Sequence, residues 1–258
     1  MTGPLIGRRS AAWTAAIVLG LTSGGLTGAG AVRADDDIDT LSARQIADRS
    51  REALLSAHSM HLITRGDFDG RGTSTTVDLV LDRDGNCNGS LHLGRDRGSV
   101  RIVRRGDTVW LKPDAVFWKH QAPDVGEAFA AILASHYTKG SASDPRLRNL
   151  ASTCDLDTFR KAVSGNATTA KGGTLTKGKK TTLGGAPVIP LVRMDKGRKL
   201  TMYVAATGKP YPLRITATGG TPKANASMSF SAFDKPVPTA TPSPEETFDI
   251  DEAPAQAT

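Results

Sequence analysis

The chain has 258 residues, a formal net charge of +7 and only two cysteines. Once its two ends are set aside, this length suits one domain with a sizeable core and argues against a division into several. The modest basic excess fits a plain solvated surface as well as one that meets anionic wall polymers or lipid headgroups. Composition therefore specifies no partner.

Residues 1–34 have the pattern of an export signal. Arg8 and Arg9 supply the positive charge, residues 11–21 supply the apolar run, and small residues ending at Ala34 supply a cleavage site. The run is too short and too interrupted to span a bilayer, which needs about 20 apolar residues. No cysteine follows it to receive a lipid anchor. We therefore expect a secreted protein that is not transmembrane, exported by either the general or the twin-arginine route.

Residues 236–258 form a tail of different composition. The segment "PVPTATPSPEETFDIDEAPAQAT" is rich in Pro, Thr, Ala and acidic residues and has almost nothing to bury. This composition predicts disorder, in either a wall-spanning stalk or a simple solubilising end. Residues 35–235 then form the one folded domain.

The first part of the domain predicts one helix followed by strands. Residues 41–57 place alanines and larger apolar residues at helical spacing, and Ser42 can cap the start. After this helix the hydrophobic period falls to two, which is typical of half-buried strands, and Gly106-Asp107 marks a hairpin. We expect about five antiparallel strands between Met60 and Lys112, with the alanine-rich helix packed on the sheet.

The middle of the domain is helical and its end returns to strands. "PDVGEAFAAILASHY" has one apolar helical face, and "DPRLRNLASTCDLDTFRKAV" predicts two short helices broken near Cys154. The stretch "RKLTMYVAATGKPYPLRITATGG" alternates on both sides of a turn at residues 207–210. Because helices segregated in sequence gather on one face of a sheet, the order predicts an α+β fold with a strongly curved antiparallel sheet.

Cys87 and Cys154 are the two cysteines, and in an oxidising compartment they predict one disulfide. A metal or redox pair lacks CxxC spacing. Nearby, "LDRDGNCNGSLHL" resembles a calcium loop, but the twelfth position from Asp82 is the apolar Leu93 where a bidentate glutamate is needed. The flanks alternate with period two, so the stretch predicts a turn between strands and no metal site.

The sequence contains no recognisable catalytic motif. HExxH, GxSxG, the Walker loop and GxGxxG are all absent. We therefore expect a protein that is not an enzyme and needs no cofactor. Trp110, Phe117 and Trp118 lie close together and fit core packing or a ligand mouth. Because the protein is expected to be exported, nucleic acid is not an expected partner of the neighbouring arginines.

Four stretches together resemble a known family: "GNCNGSLHL", "VRIVRRGDTVWLKPDAVFW", "LASTCDL" and "LTMYVAATGKPYPLRI". They are similar to the LolA-like and LppX-type lipid-carrier lipoproteins, especially their secreted actinobacterial relatives, over about Leu41 to Asp234. The resemblance implies a half-barrel with helices packed on its concave face and an apolar cavity that in some members holds acyl chains. The chain departs from the family in lacking the lipid-receiving cysteine.

Two functions from different classes follow from this fold. The first is a secreted binding protein that holds a lipid or other apolar ligand between sheet and helices. The second is an extracytoplasmic interaction or sensor module with a filled core, whose partner would be another cell-envelope component. For the first, the expected lining consists of large apolar side chains from the middle of the chain: Trp110, Phe117, Trp118, Phe129, Ile132 and Leu133.

Overall fold

A large open sheet dominates the structure, a computed structural model that describes residues 38–67, 74–94, 96–121, 127–161, 174–220 and 223–250. The predicted export signal lies outside these residues. Within them, thirteen strands form one sheet. They are β1 (Ser59–Asp67), β2 (Thr75–Asp82), β3 (Cys87–His92), β4 (Ser99–Arg105), β5 (Thr108–Pro113), β6 (Tyr137–Ser141), β7 (Leu175–Lys177), β8 (Thr181–Leu183), β9 (Ala186–Asp195), β10 (Arg198–Ala205), β11 (Pro212–Gly219), β12 (Ala224–Ser231) and β13 (Thr247–Asp249).

The strand order is β13-β6-β5-β4-β3-β2-β1-β12-β11-β10-β9-β7, with β8 paired to β9. Neighbouring strands are antiparallel except β13, which runs parallel to β6. The first five strands form the predicted meander, and β12 pairs with β1 so that the last strands extend the same sheet. The sheet is curved and does not close, which confirms the predicted fold class.

Four described α-helices accompany the sheet: α1 (Ala43–Ser56), α2 (Ala115–Gln121), α3 (Glu127–Ser135) and α4 (Arg148–Ala151). A further helical stretch covers residues 156–161. Helix α1 begins as predicted, because the Ser42 hydroxyl accepts a hydrogen bond from the Gln45 backbone N–H while the Gln45 side chain bonds back to the Ser42 backbone.

Two apolar clusters lie on the concave side of the sheet, where α1, α2 and α4 pack. The large cluster joins inward side chains of β1–β5 to the helical residues 147–159, with Leu79 and Ile102 fully buried at its centre. The small cluster joins α1 to β9 and β10 through Ile46, Ile189 and Val204. The alanine-rich face of α1 allows close approach to the strands, as the sequence predicts.

The disulfide between Cys87 and Cys154 is present in the structure, with the two Cα atoms 5.6 Å apart. Cys87 begins β3, and Cys154 ends the short helical turn that follows α4. The bridge therefore attaches the helical segment to the sheet, and both cysteines are fully buried in the large cluster.

The turn predicted between β2 and β3 is confirmed. One carboxylate oxygen of Asp82 accepts hydrogen bonds from the backbone N–H groups of Asp84 and Asn86, and the other accepts from the Asn86 side chain. The carboxylate that resembled a calcium ligand thus serves to close its own turn.

The prediction of a disordered tail is wrong for residues 236–250, which we call the strap. The strap runs from β12 to β13 over the convex face of the sheet. Its start is fixed by buried Val237 and by the Arg105 guanidinium, which donates to the backbone carbonyls of Pro238, Thr239 and Ala240. Its end is fixed by Ile250, which packs against the large cluster. Residues 251–258 lie outside the described residues.

The strap is ordered because one cation satisfies three of its backbone carbonyls. Composition alone does not reveal this, since the segment has few residues to bury. Arg105 is an outward residue of β4, so its guanidinium meets a chain that crosses the convex face. Asp249 adds an ion pair with Lys139, their side-chain atoms 2.6 Å apart.

Candidate functional site

The candidate site lies on the concave face between the two apolar clusters. Met202 on β10 packs against the small cluster, whereas its direct neighbour Ile215 on β11 packs against the large one. The boundary between the clusters therefore runs between β10 and β11. Met228 on β12, paired with Ile215, continues this row toward β1. We call Met202, Ile215 and Met228 the seam.

All three seam residues are only partly buried, although each points to the concave side. Many inward residues elsewhere on the sheet, such as Leu79 on β2 and Leu191 on β9, are buried almost completely, whereas Val77 on β2 is partly buried like the seam residues. Apolar area that remains accessible on a concave face is the usual lining of a site for an apolar ligand. Two of the three are methionines, whose flexible and polarisable side chains adapt to ligands of different shape.

Small side chains adjoin the seam. The next inward row holds Ala217 on β11 and Ala226 on β12, which are direct partners, and Gly66 on β1 opposite Ala226. Gly66 has a positive φ of 110°, and a Cβ atom there would lie 2.1 Å from the Asn225 carbonyl oxygen. The backbone at this point thus requires glycine. The row of Ala217, Ala226 and Gly66 therefore carries only small side chains beside the seam.

Helix α2, which carries Phe117 and Trp118, is held against β4 by Asp114. One oxygen of its carboxylate accepts from the Phe117 backbone N–H, and the other accepts from the backbone N–H and hydroxyl of Ser99. Gly98 allows this approach, because a Cβ atom there would lie 2.3 Å from both the Asp114 carboxylate and the Phe117 nitrogen. The positive φ of Gly98, 74°, gives a second reason for glycine.

The pKa of Asp114 lies below its ordinary value. Burial acts to raise it, but the hydrogen bonds from Ser99 and Phe117 favour the charged form and together outweigh the burial. The carboxylate is therefore ionised at neutral pH and holds the first turn of α2 in place. The position of the two α2 aromatics depends on this one charged group.

The structure does not bring all of the predicted lining residues together. Phe117 packs against the large cluster and meets Trp118 edge-on, with ring centroids 5.6 Å apart. Trp118 is half-buried, and its indole nitrogen is buried without a hydrogen-bond partner among the described residues. On α3, Leu133 is half-buried, whereas Ile132 is 52% exposed. The side chain of Phe129 lies outside the described part of the structure.

Trp110 is on the opposite side of the sheet from the helices, which corrects its predicted place in the lining. Its neighbours Val109 and Leu111 are both buried in the large cluster, so the alternation of β5 turns Trp110 to the convex face. There it lines a cavity of about 330 Å³ beneath the strap, together with Lys139, Pro242, Pro244, Thr247 and Asp249.

The seam was not recognised as a site from the sequence. Strand alternation by itself places Met202 with Val204, and Met228 with Phe230, on single faces of their strands. It could not indicate where the helices stop covering those faces, because that depends on contacts between distant segments. The available signal was the presence of two methionines at inward strand positions.

No metal site or membrane span is found in the described residues. Across these segments, no group of three His, Cys, Asp or Glu side chains is placed to hold a metal ion. Among the helices of the same segments, none combines the length and the apolar content needed to cross a membrane.

The curved open sheet with helices on its concave side is similar to the solved structure of LprF from Mycobacterium bovis, with a TM-score of 0.51 and 13% identity over 78% of this chain and 96% of LprF. At this identity the likeness concerns the fold.

Other solved structures are similar to a lesser degree. The lipoprotein LppX from Mycobacterium tuberculosis has a TM-score of 0.48 and 16% identity over 77% of this chain and 98% of LppX. A LolA superfamily protein from Nitrosomonas europaea has a TM-score of 0.28 and 10% identity over 76% of this chain and 94% of its own. No family sequence model matches the chain, and no curated protein matches its sequence significantly.

Proposed function

We propose that this protein is an extracytoplasmic binding protein that holds a lipid or another apolar ligand against the concave face of its sheet. The observation that carries the proposal is the seam, where Met202, Ile215 and Met228 keep accessible apolar surface on the face that holds most of the buried apolar side chains. A carrier needs such a surface, because removing apolar area from water contributes about 25 cal/mol per Å² to binding.

The seam is also suited to exchange of ligand. It lies between a cluster attached by the disulfide and a cluster held mainly by α1. A ligand can therefore occupy the boundary without disrupting the core of either cluster. Phe117, which packs against the large cluster, remains in the proposed lining together with Trp118 and Leu133. We propose no catalytic role for any of these residues.

The first test asks whether a ligand is bound at all. Protein purified from the culture fluid of its natural host and analysed by native mass spectrometry should carry a bound lipid or other apolar molecule. After delipidation it should bind the fluorescent fatty acid cis-parinaric acid at one site. Ligand-free protein that also fails to bind the probe would contradict the proposal and favour the interaction module.

A matched pair of variants locates the site. Ile215→Gln places an amide in the seam and should weaken probe binding by about tenfold, which corresponds to about 1.4 kcal/mol. Ile63→Gln makes the same change on the convex face, where Ile63 is also partly buried and is the strand partner of Ser229. It should leave the affinity unchanged. Equal losses in both variants would exclude the seam as the binding surface.

A further inference from the structure

The cavity under the strap is a second built feature, separate from the seam. Trp110 on β5 is the direct strand partner of Lys139 on β6, which is the partner of Asp249 on β13. These three side chains form one row across the convex face. Pro242, Pro244 and Thr247 of the strap complete the walls of a space of about 330 Å³.

The strap holds this cavity in a fixed shape. The Arg105 guanidinium binds its first carbonyls, and the Thr247 hydroxyl donates to the Ser243 carbonyl oxygen at 2.7 Å. The Ile250 backbone N–H donates to the Lys139 carbonyl oxygen at 3.0 Å. Both ends of the cavity wall are therefore attached to the sheet, so the walls exist before any ligand arrives.

The chemistry of the walls narrows the class of ligand. Lys139 and Asp249 form an ion pair at 2.6 Å, so the charged part of the cavity is neutral overall. A ligand with a single charge would be attracted by one partner and repelled by the other. A purely apolar ligand would displace the water that hydrogen-bonds to both charged groups and would offer no hydrogen bonds in its place. This loss would weaken binding by about 1–3 kcal/mol or more.

A neutral molecule with hydroxyl groups and one apolar face fits these walls. An ammonium carries three donors and a carboxylate about four acceptor positions, so a bonded pair can still bind two adjacent hydroxyls, one through each partner. The negatively charged face of the Trp110 indole attracts the C–H groups of a sugar ring. The volume lies at the lower end of the range for small-molecule sites, about 300–1,000 Å³, which suits a short glycan unit.

We infer that the cavity formed by Trp110, the Lys139–Asp249 pair and the strap prolines is a binding site for a neutral hexose unit of a glycan. The ring lies on the indole face, and two neighbouring hydroxyls bond to Lys139 and Asp249. Because the cavity is on the face opposite to the seam, glycan binding is independent of the proposed binding of an apolar ligand.

Saturation-transfer NMR on the purified protein tests this site, with maltotriose, cellotriose, α-1,6-mannotriose and galactobiose as probes. At least one probe should show transfer to its ring C–H protons, because these lie on the indole. Absence of transfer to all four sugars would overturn the inference.

Variants connect the signal to the cavity. Trp110→Ala should reduce sugar affinity at least tenfold, and Asp249→Asn should reduce it while preserving the shape of the wall. The control Thr108→Ala lies on the same strand and face but outside the cavity, and should bind as the wild type does. Unchanged binding in both cavity variants would overturn the inference. Circular dichroism identifies any variant that fails to fold. If Trp110→Ala does not fold, the sugar affinity of Asp249→Asn decides the test.

Discussion

The two faces of the sheet are covered by different means. On the concave face, helices and a disulfide bury large apolar side chains in two clusters. On the convex face, a proline-rich strap is held by hydrogen bonds from one arginine, one ion pair and single apolar residues at its ends. Apolar burial is the dominant favourable contribution to folding. Substitutions on the concave face should therefore lower the free energy of unfolding more than substitutions on the convex face.

The largest expected effect follows from Leu79→Ala. Leu79 is fully buried in the large cluster, and loss of a buried leucine costs about 2–5 kcal/mol of unfolding free energy because a cavity is left behind. Val80→Ala, the next residue and on the convex face, should cost less than about 1.5 kcal/mol. Urea denaturation monitored by circular dichroism measures both. Similar losses would contradict the difference between the faces.

The disulfide should have the second largest effect. Replacing Cys87 and Cys154 together with serine releases a loop with a sequence separation of 67 residues. On the chain-entropy model the loss is about 4 kcal/mol, and typical measured values are about 2–4 kcal/mol. The double variant should have a lower urea midpoint than the wild type. Reduction of the wild type with dithiothreitol should also lower its midpoint, and a reduced wild type as stable as the oxidised one would refute the prediction.

Removal of the strap's main contact should have a smaller effect. Arg105→Met keeps an apolar stem but removes the donors to the strap carbonyls, at an expected cost of about 1–3 kcal/mol. Hydrogen exchange of the Ile250 amide, which bonds to Lys139, should accelerate as the strap is released. The control Arg101→Met changes an exposed arginine on the same strand and face, and should leave that exchange rate unchanged.

The smallest expected effect concerns pH and the turn in which the strap begins. Hydrogen bonds from the Tyr211 hydroxyl and the His58 backbone N–H lower the pKa of Asp234 below its ordinary value, about 3.9. This carboxylate therefore stabilises the fold fully above pH 4, and the contribution disappears as the pH falls through the lowered pKa. Asp234→Asn should be less stable than the wild type at pH 6, and the difference should decrease steadily below pH 4. A constant difference across that range would exclude the ionised form as the cause.

Much of the fold was predictable because its signals are local. The capped α1 helix, the first five strands, the turn closed by Asp82 and the hairpin at Gly106 each depend on residues close in sequence. The disulfide was predictable because the chain offers one pair of cysteines. The parallel strand β13 was missed, since its pairing with β6 joins segments about 110 residues apart and involves only three residues of strap.

The candidate sites were less predictable than the fold. The sequence grouped Trp110 with Phe117 and Trp118 because they are near neighbours in the chain, but strand alternation separates Trp110 from the other two by the thickness of the sheet. The partial exposure of Met202, Ile215 and Met228 depends on where α1 and the disulfide-linked helices end, which no local pattern records.

By itself the sequence determined which residues form strands, which side of each strand is apolar and which cysteines pair, because period, turn chemistry and residue count are properties of short segments. Only the tertiary structure decided which face the helices cover, where their two clusters leave a seam, and that the strap lies on the convex face. Those outcomes depend on packing and hydrogen bonds between segments that are distant in the sequence. The free energy of such contacts cannot be read from the sequence of either segment alone.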